Sequence, residues 1–119
     1  ISMDPKFTEA YINRGNVYRD MGKFDEALKD FNTALQQKPD LPLVYFNIGN
    51  LFYLQKNTEE ALKNLSKAIS LNPNYAEAFY NRGLIRYSAG NKDGCCSDLK
   101  IAIGLKYQPA VDASVMYCK

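Results

Sequence analysis

Asn13, Asn47 and Asn81 recur at one fixed interval, and Asn16 and Asn50 each follow three positions after the first two. A spacing of three keeps both sets on one face of a helix. Asparagine is a mediocre helix former, so five of them in helical stretches require an explanation. Each side-chain amide offers one acceptor and two donors. A row of such amides can pair with the N–H and C=O groups of an extended peptide without reading its side chains. The same amides can instead bond to neighbouring helices and hold the structure together. Both readings stay open on sequence alone. In the third copy Leu84 takes the place of Asn16 and Asn50.

Two further rows flank the amides. Ile12, Phe46 and Tyr80 form one, and Arg19, Tyr53 and Tyr87 the other. Tyrosine combines apolar area with a polar tip, which suits a recognition surface. Aromatic rows at helical spacing also serve as core, but Tyr11, Tyr18, Tyr45 and Phe52 already occupy the core stripe. A groove of Tyr and Arg could stack nucleic-acid bases. The net charge is only +2, from 15 basic and 13 acidic residues, and there is no basic stripe. Neither nucleic acid nor an anionic membrane is therefore an expected partner.

Catalysis has little to work with. The chain has no His and no Trp, which removes the commonest general base and the commonest metal ligand. Adjacent Cys95 and Cys96 point about 100° apart on a helix and have no companion ligand cluster. Gly15, Gly49 and Gly83 recur at the same interval as the amides, as helix-contact positions, and form no phosphate-cradling loop. No enzyme, metal or cofactor is expected.

The interval is 34, and it runs through the whole chain. Tyr11, Gly15, Tyr18, Ala27, Phe31, Ala34 and Pro39 lie over Tyr45, Gly49, Phe52, Ala61, Leu65, Ala68 and Pro73. A third copy reads Phe79, Gly83, Arg86, Cys95, Leu99, Ala102 and Tyr107, with the match decaying at Arg86 and after Leu99. A fixed period of this size means stacked supersecondary units. Each unit holds two helical stripes, so the spacing predicts helices over 8–21, 24–37, 42–55, 58–71, 76–89, 92–105 and 109–118. Gly22 and Gly90 sit where a left-handed helix terminator is needed, while Lys56 takes that place in the second unit. Asn57 and Asn91 are candidate N-caps.

These positions resemble the tetratricopeptide repeat family, whose pattern over one such period is an aromatic, then Leu-Gly, Tyr, Ala, an aromatic or Leu, Ala and Pro. The resemblance implies repeats over 8–41, 42–75 and 76–109. It implies an all-α, right-handed superhelical stack of three antiparallel helix pairs with a C-terminal capping helix over 110–119, together one domain. Residues 1–7 read as the tail of a preceding repeat, because Ile1–Pro5 matches Ile69–Pro73. In this family the first helix of each repeat lines a concave wall. The resemblance thus implies a non-enzymatic protein-interaction module. Its groove would use Asn13, Asn16, Asn47, Asn50, Asn81, Phe46, Tyr53, Tyr80, Tyr87 and Arg19 for a peptide segment. The alternative is a structural spacer in a longer array, with no ligand of its own. One subclass binds chaperone C-terminal carboxylates through Lys, Asn, Asn, Lys and Arg. The matching positions here are Ile12, Asn16, Asn47, Glu77 and Asn81, so all three cations are missing. A chaperone tail is not an expected partner.

Two pairings follow from the repeats. Arg14 and Asp30, and Arg82 and Asp98, stand 16 apart, while the second repeat has Ile48 and Asn64. Cation and anion vanish together, so each pair is expected to bridge its helical hairpin. Cys96 and Cys118 lie at equal distances before and after Tyr107. Two antiparallel helices joined near Tyr107 would bring these cysteines together, and a disulfide there would clamp the cap. Cys95 takes the small-residue position and is expected to be buried against Gly83; the alternative to the disulfide is three free cysteines, a buried one behaving as a small apolar residue.

Overall fold

The computed structural model describes residues 5–118, in which seven α-helices follow one another with no strand between them. They are α1 (Pro5–Asp20), α2 (Phe24–Gln37), α3 (Pro42–Leu54), α4 (Thr58–Leu71), α5 (Ala76–Ser88), α6 (Lys92–Gly104) and α7 (Gln108–Tyr117). The boundary residues agree with the sequence pattern to within a few positions. The match of Ile1–Pro5 to a helix tail falls mostly outside the described residues, and α1 already includes Pro5.

α1, α3 and α5 each pack against the even helix that follows, through the small residues of the repeat. A Cβ added to Gly15 would lie 2.7 Å from the Phe31 ring, and one on Gly49 would lie 2.8 Å from Leu65. At Gly83 it would meet the Cys95 carbonyl and Asp98 Cβ at 3.2 Å. Glycine at these three places therefore sets the distance between paired helices. Phe31, Leu65 and Leu99 fill the space opposite and are fully buried, as is Cys95.

The turns inside the pairs repeat one hydrogen-bonded motif. Lys23, Asn57 and Asn91 each donate a backbone N–H to the carbonyl five residues back, at 2.8–2.9 Å. The preceding residue is left-handed, with φ of 78° at Gly22 and 89° at Gly90. Lys56 adopts the same region at 62°, so the turn keeps its shape and a residue with a Cβ carries the strain. Asn57 and Asn91 then cap the following helices, accepting from the N–H of Glu60 and Gly94 at 3.4 and 2.9 Å.

Between pairs, α2 and α4 hand over through Pro39 and Pro73 in a wider turn. The third handover differs. Tyr107 donates to the Ala102 carbonyl and Lys106 is left-handed at 66°, so α6–α7 reuses the turn found inside pairs. α7 consequently starts two residues before the position the period assigns. In that frame Ala110 and Ala113 stand where α3 has Val44 and Asn47, and Val115 stands where α3 has Gly49. Cys96 and Cys118 form a disulfide with Cα atoms 5.7 Å apart and a sequence separation of 22. Closing a loop of this length contributes about 3 kcal/mol.

The two hairpin ion pairs are present. Arg14 holds Asp30 with two bonds of 2.8 Å, and Arg82 holds Asp98 with bonds of 2.9 and 2.7 Å. Arg86 joins Asp98 at 2.9 Å, and Arg82 also reaches Ser66 of the preceding pair at 3.2 Å. In the second pair Ile48 is buried, and Asn64 bonds back to the Glu60 carbonyl at 2.9 Å.

Successive odd helices touch along the stack, α1 to α3, α3 to α5 and α5 to α7. Among the described residues, no Cα atoms of α2, α4 and α6 approach one another within 8 Å. Close odd helices and splayed even ones bend the 52 Å stack so that the odd helices form its inner wall.

Candidate functional site

The inner wall carries a pocket of about 340 Å³ between α1, α3 and α5, lined by Arg19, Asn50, Tyr53, Leu54, Asn81, Leu84 and Ile85. Four of these, Arg19, Asn50, Tyr53 and Asn81, are residues that the repeat pattern singles out. The other three are apolar. Leu54 is 52% exposed beside Tyr53 at 43%, so both offer open apolar surface to the pocket. The sequence signal for Leu54 is an apolar residue just past the stripe of α3. The signal for Leu84 is its place as the one apolar substitute in the amide row.

The five amides do different things. Asn13 is exposed and Asn16 is half-buried. Asn81 Nδ2 donates to Asn50 Oδ1 at 3.0 Å, a bond from one repeat to the next. Moving that bond back by one repeat links Asn47 Nδ2 to Asn16 Oδ1. Those two atoms are the buried side-chain donor and acceptor left without a partner among the described residues. Moving it forward, in the shifted frame of α7, reaches Leu84 and Ala113, an apolar contact. The row is therefore a series of rungs between odd helices: one open, one bonded, one apolar. Asn47, expected to be accessible, is only 5% exposed, because its helix face turns toward α1.

The bonded rung keeps part of its capacity. Asn81 retains its Oδ1 acceptor and Asn50 retains its Nδ2 donors. Each amide fixes the other's orientation, so donor and acceptor are held in set directions beside the pocket.

The aromatic row is partly spent on packing. Phe46 stacks on Tyr75 with ring centroids 5.0 Å apart. Tyr80 meets Tyr107 edge-on at 5.3 Å, and Tyr87 meets Tyr117 at 4.4 Å. The repeat pattern puts Tyr80 and Tyr87 on an open groove; the early start of α7 partly covers Tyr80, while Tyr87 touches Tyr117 yet stays 42% exposed. Tyr53 stays open at the pocket. Ile12 is core, at 7% exposed. Arg19 reaches the pocket edge and holds Asp20 loosely at 3.3 Å.

Among the described residues no cluster of three or more His, Cys, Asp and Glu could hold a metal ion. The Cys95 thiol is buried, and burial followed by the nearby Asp98 charge pushes its pKa up, away from nucleophilic use. No helix among the described residues is long and apolar enough to cross a membrane.

The family model described as TPR repeat matches residues 15–56 and 49–90. No curated protein matches the chain significantly. Among solved structures, the first TPR of Spaghetti (RPAP3) bound to HSP90 peptide SRMEEVD is similar with a TM-score of 0.79 and 21% identity, covering 94% of this chain and 96% of that one. The second TPR of the same protein, bound to the same peptide, gives 0.76 and 24%, over 82% and 91%. MamA gives 0.76 and 23%, over 96% of this chain and 72% of its own.

Proposed function

Because the chain belongs to the TPR repeat family, we propose that it is a non-enzymatic protein-interaction module that binds an extended peptide in its concave groove. The observation that carries this reading is the 340 Å³ pocket, apolar through Leu54, Leu84, Ile85 and Tyr53 and edged by the Asn50–Asn81 rung. An apolar side chain fills the pocket. The free Asn50 donor and Asn81 acceptor take one backbone C=O and one N–H of the same segment. Arg19 favours a carboxylate nearby, since it holds only an exposed aspartate one residue away, and holds it loosely.

The HSP90 peptide of the similar structures is not carried over. The three positions where a carboxylate clamp would need a cation are filled here by Ile12, which is buried, by exposed Glu77 and by Asn81, which bonds Asn50. A second reading, a spacer within a larger array, draws support from the amides that bond one another and from α7 partly covering Tyr80 and touching Tyr87.

Selection from a displayed peptide library separates the two readings. Peptides carrying an apolar anchor should be enriched, and Tyr53→Ala should weaken them about tenfold, as expected for an exposed aromatic anchor. Its thermal midpoint should stay unchanged. Failure to enrich any peptide that Tyr53→Ala weakens would favour the spacer.

A further inference from the structure

The pocket does not end at Leu84. A second hollow of about 260 Å³ continues from it between α5 and α7, lined by Tyr80, Leu84, Pro109, Asp112, Ala113, Met116 and Tyr117. Tyr80, Leu84 and Tyr87 are the third-repeat counterparts of Phe46, Asn50 and Tyr53. They extend the same wall; α7 lies over Tyr80 and Leu84, while Tyr87 touches Tyr117 and stays exposed.

What holds α7 there is unequal. Its inward face offers Ala110 and Ala113, where α3 offers Val44 and Asn47 and α5 offers Ala78 and Asn81. At ten residues it is shorter than a helix that persists alone in water. α6 packs against it in one core cluster with Ala110 and Ala113, but Val115 occupies the place where α3 and α5 have the glycine that admits their following helix. Val115 and Met116 are 67% and 66% exposed. To this packing is added one covalent tie, Cys96–Cys118, just past the last residue of α7. Both cysteines are only half-buried, within reach of an external thiol. Cys95, next in the chain, is fully buried and its thiol is held protonated, so it stays out of exchange.

We propose that the α5 face beneath α7 is a latent extension of the groove, closed by the Cys96–Cys118 bond and opened by its reduction. An external dithiol supplies two electrons and two protons. The S–S bond breaks, Cys96 and Cys118 become thiols, and the reductant becomes a disulfide. α7 then lifts from Tyr80 and Leu84, and the extended peptide of the groove runs on over the third repeat. The occupant rests on the reading given under Proposed function; the gate itself does not.

Hydrogen exchange followed by mass spectrometry on the full chain, oxidised and reduced by dithiothreitol, reads the gate with no ligand present. Reduction should speed amide exchange in α7 about 100-fold, the factor that loop closure of this length is worth. α1–α4 should keep their protection, which also reports that the chain stays folded. Cys96→Ser should exchange in α7 like the reduced protein under either condition. Unchanged protection of α7 on reduction overturns the gate, and so does a Cys96→Ser variant that remains as protected as the oxidised chain. Failure of peptide selection would instead leave these exchange rates untouched and remove only the groove's occupant.

Discussion

The second hairpin and the third solve one packing problem in opposite ways. α3 and α4 meet through Ile48 with Asn64 folded back onto its own helix. α5 and α6 meet at the same places through Arg82 and Asp98, with Arg86 and Ser66 added. The first hairpin has the ion pair too, but there Arg14 is 57% exposed, against 15% for Arg82. The repeat therefore specifies a shape at this position and leaves the chemistry free. A charge pair costs little where its cation keeps water, and binds its surroundings tightly where it does not.

The largest effect should come from Asp98. It is 1% exposed and accepts three bonds from two guanidinium groups. Asp98→Ala should lower the unfolding free energy by about 3 kcal/mol, as removing one partner of a buried pair does. Asp30→Ala should lose much less, because Arg14 can turn to solvent. Replacing both members in the first hairpin with those of the second, Arg14→Ile with Asp30→Asn, should leave stability nearly unchanged. Urea unfolding of the three variants makes the comparison. Equal losses for Asp98→Ala and Asp30→Ala would show that exposure of the cation does not decide the outcome.

The sequence makes some of this legible and hides the rest for identifiable reasons. The period locates the helices, because glycine and alanine must recur wherever two helices approach. The ion pairs are readable because cation and anion disappear together in one repeat. Arg86 reads only as a failed match, since an aromatic stands at that place in the other two repeats. In space it is a third arm on Asp98, and its charge beside a buried acid is the available signal. The partition of the amide row is hidden, because whether Asn50 bonds across to Asn81 or outward depends on rotamers and helix separation. The cover over Tyr80 is hidden by a single turn: the left-handed Lys106 brings α7 forward by two residues, and no glycine marks the place.

A smaller effect sharpens the comparison at the turns. Gly22 and Gly90 take the left-handed region freely, while Lys56 is forced into it at φ 62°. Lys56 is exposed, so a substitution there disturbs no core contact. Lys56→Gly should raise stability by about 1 kcal/mol, the lower end of what such strain costs in a residue with a Cβ. Gly22→Lys should lower it by a similar amount. If Lys56→Gly instead destabilises, the second turn is held by its lysine side chain and differs in kind from its neighbours.

The smallest effect concerns pH and the two handovers. Leu41 precedes α3 and Tyr75 precedes α5, at equivalent positions one repeat apart. Only the second can titrate. Burial, followed by the charge of Glu77, pushes the Tyr75 hydroxyl up to about 12 from an ordinary value of 10. The folded chain thus holds this proton more tightly than the unfolded chain. The resulting stability is fully present below pH 10 and is lost as the pH rises toward about 12. Burial, Glu77 and Tyr80 shift Tyr107 in the same direction, ahead of α7. Tyr75→Phe keeps the ring that stacks on Phe46 and removes the proton. Its urea midpoint should therefore fall less steeply than that of the wild type between about pH 10 and about pH 12. Parallel curves for the two proteins would place the alkaline transition elsewhere and leave the two handovers electrostatically alike.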